Sequence, residues 1–122
     1  MGKNILIVDD SDASRNSLSF LLKTKKYQVF QAINGNDALA KLKSGSVGNL
    51  DLIITDINMP GMTGLEMIQH IRKMDEYKFI PILVISSEEE EIKRSIELGA
   101  SAWLMKSSKT NEKLFETIDK II

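Results

Sequence analysis

Asp9, Asp10, Asp56, Ser86 and Lys106 are residue types that together suit phosphoryl chemistry, and each comes at or just after the end of a short apolar run. The runs are Ile5-Leu6-Ile7-Val8, Leu52-Ile53-Ile54-Thr55, Ile82-Leu83-Val84-Ile85 and Trp103-Leu104-Met105. If these runs are parallel strands of one sheet, their carboxyl ends share an edge and the side chains that follow converge on one pocket. Carboxylates brought that close repel one another and favour a bound cation. Hard oxygen donors around an open coordination position suit Mg²⁺ carrying a phosphate oxygen. The chemistry expected of the set is transfer of a phosphoryl group.

Taken singly, each residue also has a structural explanation. An acid after a strand often caps the next helix, which suits Asp9 or Asp10 alone. Asp56 could open an Asx turn toward Pro60, and Ser86 beside Ser87 leaves open which serine serves as a cap. A lone Lys106 would be a snorkelling surface lysine. It is their joint placement that favours a site. His70 falls on a polar helix face and is expected to be solvated, without a role. The run Glu88–Glu91 complements the positive end of a helix dipole.

The elements that must position these residues are legible as alternating periods. Apolar runs at Asn4–Val8, Tyr27–Ala32, Leu50–Thr55, Ile80–Ser86 and Ala102–Met105 read as five strands. Between and after them, Leu18, Leu21 and Leu22, then Ala38, Leu39 and Leu42, then Leu65, Ile68 and Ile71, then Ile92 and Ile96, then Leu114, Ile118, Ile121 and Ile122 recur at helical spacing. Strands as continuously apolar as Ile5–Val8 imply helices on both faces of a parallel sheet. The fold class expected is α/β, a doubly wound (βα)₅ sandwich. Ser87 with Glu90 predicts a capping box on the fourth helix, Asn34-Gly35-Asn36 a turn before the second, and Gly99 the end of the fourth. The stretch Ser44–Asn49 reads as a surface loop.

Composition narrows the function further. The 122 residues suit a single domain with a sizeable core, 43% of them hydrophobic. With Lys+Arg at 16 against Asp+Glu at 17, no bulk field argues for nucleic acid or an anionic membrane surface. The absence of cysteine excludes disulfides, thiolate metal sites and cysteine nucleophiles. Met1-Gly2-Lys3-Asn4 leads directly into an apolar run too short for a signal peptide or a membrane span, so a cytoplasmic protein without membrane insertion is expected.

The spacing of Val8-Asp9-Asp10-Ser11 with Arg15, Asp56-Ile57-Asn58-Met59-Pro60 with Gly64, Ser86, and Lys106 resembles the receiver domain of two-component response regulators. The likeness is greatest to stand-alone chemotaxis-type receivers and covers the whole chain, 1–122, with no output domain expected. It implies a flavodoxin-like sheet in the order 2-1-3-4-5. It also implies that Asp56 accepts a phosphoryl group from a phosphohistidine of a sensor histidine kinase or histidine phosphotransfer protein, in a Mg²⁺-dependent reaction. Asp10 and Asp56 would ligate the ion directly, Asp9 through water, and Asn58 by its backbone carbonyl. Lys106 and the Ser86 hydroxyl would bind phosphoryl oxygens. Glu88 and the Asn58 side chain would tune hydrolysis of the acyl phosphate. Trp103 would be the aromatic that rotates inward on activation, and the face made by the fourth helix, fifth strand and fifth helix would bind a downstream target. Such a protein is a switch in a phosphorelay and not an enzyme acting on a separate substrate.

The family usually has proline after the lysine, following a cis peptide, whereas this chain has Lys106-Ser107-Ser108. A cis bond before Ser107 would cost about 3 kcal/mol, so the loop either retains that strain or turns differently. Two other functions use related features. A non-phosphorylated interaction module could share the fold. An aspartate-nucleophile phosphatase of the haloacid dehalogenase type would want an acid where Asn58 stands, and its paired acids late in the chain.

Overall fold

The computed structural model describes residues 2–107 and 109–122; Met1, and Ser108 of the Lys106-Ser107-Ser108 stretch, lie outside the described residues. Strands and helices alternate as β1 (Asn4–Val8), α1 (Asp12–Thr24), β2 (Gln28–Ala32), α2 (Gly35–Ser44), β3 (Leu52–Thr55), α3 (Gly64–Arg72), β4 (Ile82–Ser86), α4 (Glu89–Glu97), β5 (Ala102–Met105) and α5 (Thr110–Ile121). Every strand pairing is parallel and the sheet order is β2-β1-β3-β4-β5. The doubly wound architecture and strand order are those expected. β3 and β4 begin two residues later than the apolar runs, and β2 one residue later. Local bonding explains this: the Asp51 carboxylate accepts the Asn4 N–H at 2.8 Å, and Pro81 has no N–H to donate.

Continuous apolarity in the strands is used on both faces. Leu6, Val8, Ile53, Ile57, Ile82 and Val84 pack on one side with Ala38, Leu39, Met67, Ile68 and Ile71 from α2 and α3. Their neighbours Ile5, Ile7, Leu52, Ile54 and Leu83 pack on the other with Leu22 of α1 and Leu114 and Ile118 of α5. Successive side chains of a strand point to opposite faces, so each apolar residue of β1 and β3 enters one core or the other. The central strands are thereby rigidly held where they end at the site. The Ser44–Asn49 loop is anchored as well, since Val47 is buried in the first core.

The helix caps differ from expectation at α4. Ser87 makes no capping box with Glu90: the N-cap is Glu88, whose side chain forms no capping bond. Its backbone N–H goes instead to the Ser86 hydroxyl at 3.2 Å, so the preceding serine secures the turn. The capping box is on α3, where the Thr63 hydroxyl accepts the Glu66 N–H and the Glu66 carboxylate accepts the Thr63 N–H. Asn34 caps α2 through the Asp37 N–H, and Gly99 follows the end of α4 with φ of 118°. The apolar stripe of α4 also differs. Ile92 is buried but Ile96 is exposed, and the residue under the helix is Ser95, whose hydroxyl turns back to the Ile92 carbonyl at 2.7 Å.

Candidate functional site

The acidic residues stand on the last rungs of the sheet. The Asp9 N–H donates to the Ala32 carbonyl at 3.2 Å, the Asp56 N–H to Val8 at 3.1 Å and the Lys106 N–H to Ser86 at 2.9 Å. Each site residue is therefore fixed by the strand next to its own. Asp9, Asp10 and Asp56 each present a carboxylate oxygen within 4.8 Å of the others, which brings together the acids the sequence singled out. This donor set of hard, anionic oxygens on one side and open space on the other fits a Mg²⁺ ion.

Asp56 is the most confined of the three, with only 9% of its surface exposed. Its Oδ1 accepts the Ile57 N–H at 2.7 Å, and its Oδ2 accepts Lys106 Nζ at 2.9 Å. The lysine spans fifty residues of sequence to reach it and remains half-exposed, so the ammonium is tethered but can move. Burial pushes the Asp9 carboxyl above its ordinary value; the Ser11 N–H lowers it, Asp56 raises it, Lys106 lowers it and Asp10 raises it. Desolvation and mutual repulsion thus oppose ionisation, and a bound divalent cation would offset both.

Two supports of the site lie outside the acids. Arg15 is buried, and its guanidinium donates to the Asp9 carbonyl at 2.8 Å and to Gln31 Oε1 at 3.1 Å while pairing with Asp12. It braces the carboxyl end of β1. Gly64 begins α3 against the acceptor: a Cβ there would lie 2.3 Å from the Asp56 carbonyl oxygen and 2.8 Å from Ile57 Cα. Only glycine permits this approach, and the Gly64 N–H uses it to bond the Ile57 carbonyl at 2.8 Å.

The remaining expected residues surround the acids. Ser86 is buried at the end of β4 with its hydroxyl turned to the Glu88 N–H. Asn58, two residues after Asp56, is exposed and donates from Nδ2 to Glu91 Oε1 at 2.8 Å. Glu88 is exposed at the head of α4, and His70 is exposed as expected. Glu91 was singled out by no motif; it reads in the sequence as one more acid in a helix-start run. Trp103 is 51% exposed on β5 and lines a groove of about 550 Å³ with Ile92, Ile96 and Met105. No cis peptide occurs among the described residues, so the loop after Lys106 turns by a trans bond, with the Ser107 N–H on the Thr110 hydroxyl at 2.8 Å. Beside the acids, a cavity of about 380 Å³ opens between α1 and α5, lined by Asp9, Ser14, Asp56, Lys106 and Thr110 among others.

An acidic cluster and a lysine at the carboxyl edge of a five-stranded sheet in this order define a flavodoxin-like protein with its candidate site at the carboxyl ends of the strands. Comparison with known proteins fixes the family: residues 5–119 match the response regulator receiver domain, and the chain belongs to that family. It is 38% identical over 105 residues to the two-component response regulator ORR6 of rice (Oryza sativa subsp. japonica), a match covering 84% of this chain and 62% of that protein. The chain thus spans less than two thirds of that relative. The solved structure of the chemotaxis response regulator CheY4 of Vibrio cholerae superposes with a TM-score of 0.89 at 35% identity, covering 100% of both chains. That of the response regulator TrrA of Thermotoga maritima, in complex with Mg(2+)-BeF, gives 0.85 at 36% identity and covers 98% of this chain and 99% of that one. No helix among the described residues is long and apolar enough to cross a membrane.

Proposed function

We propose that this receiver accepts a phosphoryl group on Asp56 from the phosphohistidine of a sensor histidine kinase or histidine phosphotransfer protein, and that the acyl phosphate changes the affinity of its surface for a target. The observation that carries this is the Lys106 ammonium on the Asp56 carboxylate beside two further carboxylates within 4.8 Å. Of the two acceptor oxygens, Oδ1 is held by a backbone N–H and Oδ2 only by a flexible side chain. Oδ2 is the nucleophile: it forms the new O–P bond as the P–N bond of the donor breaks and the imidazole leaves with a proton. Lys106 then follows the charge onto a phosphoryl oxygen, and the Ser86 hydroxyl leaves the Glu88 N–H for another. Hydrolysis reverses the state when water attacks phosphorus and the Asp56 carboxylate departs.

Asp10 and Asp56 would hold Mg²⁺ directly, Asp9 through water and Asn58 by its carbonyl. The ion would supply neutralisation of charge on the reacting oxygens. The complex of TrrA with Mg(2+)-BeF supports this assignment by likeness. The apolar groove at Trp103, between α4 and β5, supports the face of α4, β5 and α5 as the target-binding surface. In a two-state switch, phosphate and target favour one conformer and so each raises affinity for the other.

Intact-mass spectrometry after exposure to a small phosphodonor, with and without Mg²⁺, tests the reading. One Mg²⁺-dependent phosphoryl adduct is expected on the native chain and none on Asp56→Asn. An adduct that persists in that variant would place the acceptor elsewhere. No adduct on a chain shown to bind Mg²⁺ would favour the interaction module.

A further inference from the structure

We infer that Arg15 is a positioning residue for the metal site: its guanidinium fixes the peptide between Asp9 and Asp10 and thereby aims the Asp10 carboxylate. The inference rests on the Mg²⁺ binding proposed above. Asp10 is exposed, and its carboxylate takes no hydrogen bond or ion pair among the described residues, yet it presents an oxygen within 4.8 Å of those of Asp9 and Asp56. What places it is the backbone of the turn from β1 to α1. Three bonds hold that turn. The Asp9 N–H donates to the Ala32 carbonyl at 3.2 Å, the Asp9 Oδ1 accepts the Ser11 N–H at 2.9 Å, and the Asp9 carbonyl accepts Arg15 Nη1 at 2.8 Å. The last of these acts on the planar unit that ends at the Asp10 Cα, so fixing the carbonyl fixes the direction in which Asp10 leaves.

The guanidinium is itself anchored. Arg15 is 7% exposed, and its Nε donates to Gln31 Oε1 on β2 at 3.1 Å. Its ion-pair partner Asp12 is 83% exposed, so that pair adds little. Gln31 and the Asp9 carbonyl therefore define its position, and a planar fork with donors in fixed directions passes that position on to the turn. Three roles for Arg15 differ in the sign of their effect on the ion. A cation bonded to the backbone of a site acid opposes Mg²⁺ if it acts by charge alone. One that serves packing alone leaves the ion indifferent. One that aims a ligand strengthens binding, as outer partners of metal ligands do.

The experiment is calorimetric titration of Mg²⁺ into the native chain, Arg15→Ala, Gln31→Ala and the double variant, under conditions where urea melts show each to be folded. Arg15→Ala is expected to weaken Mg²⁺ binding about tenfold, the lower scale for loss of an outer partner. Gln31→Ala touches no acid and removes no charge; it is expected to weaken binding about threefold, the scale of one lost hydrogen bond. The double variant is expected to bind no worse than Arg15→Ala. Unchanged or tighter binding in Arg15→Ala, unchanged binding in Gln31→Ala, or additivity in the double variant would each overturn the inference. Should Arg15→Ala not fold, Gln31→Ala decides alone. If the native chain binds no Mg²⁺, the metal reading fails by itself. The Asp10 backbone N–H, which shares a peptide with the carbonyl that Arg15 holds, then reports the clamp without any ion: a changed resonance and faster hydrogen exchange in Gln31→Ala support positioning, and an unaltered signal refutes it.

Discussion

Individual side chains and missing side chains set the tolerances of the site. Gly64 is needed for its lack of a Cβ, because backbone atoms of Asp56 and Ile57 occupy that space. Gly64→Ala is expected to destabilise by more than about 3 kcal/mol in urea denaturation, since neither backbone neighbour can yield without moving the acceptor. Asp37 gives a contrasting, pH-dependent contribution. Its carboxylate takes Lys41 Nζ at 2.8 and 2.9 Å and the Ile33 N–H at 3.0 Å. The lysine above all, and the backbone donor after burial's opposing effect, hold its pKa below the ordinary carboxylate value. A depressed folded pKa means stabilisation that is complete above the unfolded value of about 4 and is lost as pH falls through the lower folded one. Asp37→Asn should cost about 1 kcal/mol at pH 7. The difference from native, followed by urea melts down the pH scale, should narrow below about pH 4. A cost that is constant across this range would show that the charge is irrelevant.

At the scale of elements, the helix starts divide by what they face. α3 begins with a complete capping box at Thr63 and Glu66, whereas α4 begins at Glu88 with no side-chain cap. Thr63→Ala is expected to cost about 1 kcal/mol, and Glu88→Asn, which supplies a capping oxygen at a residue already extended, to gain about 0.5 kcal/mol. Thermal unfolding of the two variants checks both signs; a loss with Glu88→Asn would mean that the extended turn cannot close on an added cap. An α4 whose first turn is fixed from outside the helix, by Ser86 on the Glu88 N–H and by Asn58 on Glu91, suits an element whose position is to depend on the site beside it. This contrast was half legible in the sequence. Thr63-Gly64-Leu65-Glu66 carries the capping spacing openly, yet Ser87 with Glu90 carries the same spacing and does not form the box. The difference is local: the Ser86 hydroxyl, two residues upstream, takes the Glu88 N–H, and the helix is capped at Glu88, one residue after Ser87. Strand interiors were readable because central strands buried on both faces must be continuously apolar, whereas the sheet order was implied only by the resemblance to receiver domains. The acids were readable because they follow those strands. Glu91 was not, since an acid that caps a dipole and an acid that bridges two loops look alike in sequence; nor was the outward turn of Ile96, which depends on Ser95 fitting beneath the helix.

For the whole molecule, the site trades stability for function. Asp9, Asp10 and Asp56 crowd their negative charges within 4.8 Å, and a single nearby ammonium, that of Lys106, bonds only Asp56 among them. The folded chain without metal must bear a repulsion that the unfolded chain escapes, which natural proteins tolerate where binding requires it. Asp10 is the exposed member, so its carboxylate can be replaced without opening a cavity. Asp10→Asn is therefore expected to be more stable than native in the absence of divalent cations, by about 1 kcal/mol for relief of like charges at a partly solvated site. Addition of Mg²⁺ should reverse the order. A ligand that binds the folded state alone stabilises it by about 2.7 kcal/mol at a hundredfold excess over its dissociation constant. The native chain should gain this increment, while the variant gains little of it. Thermal melts of both proteins over a Mg²⁺ titration would show the two curves crossing. Parallel curves would mean that Asp10 contributes nothing to the ion, and a less stable metal-free variant would mean that Asp10 is held by favourable contacts and not by the need to bind a cation.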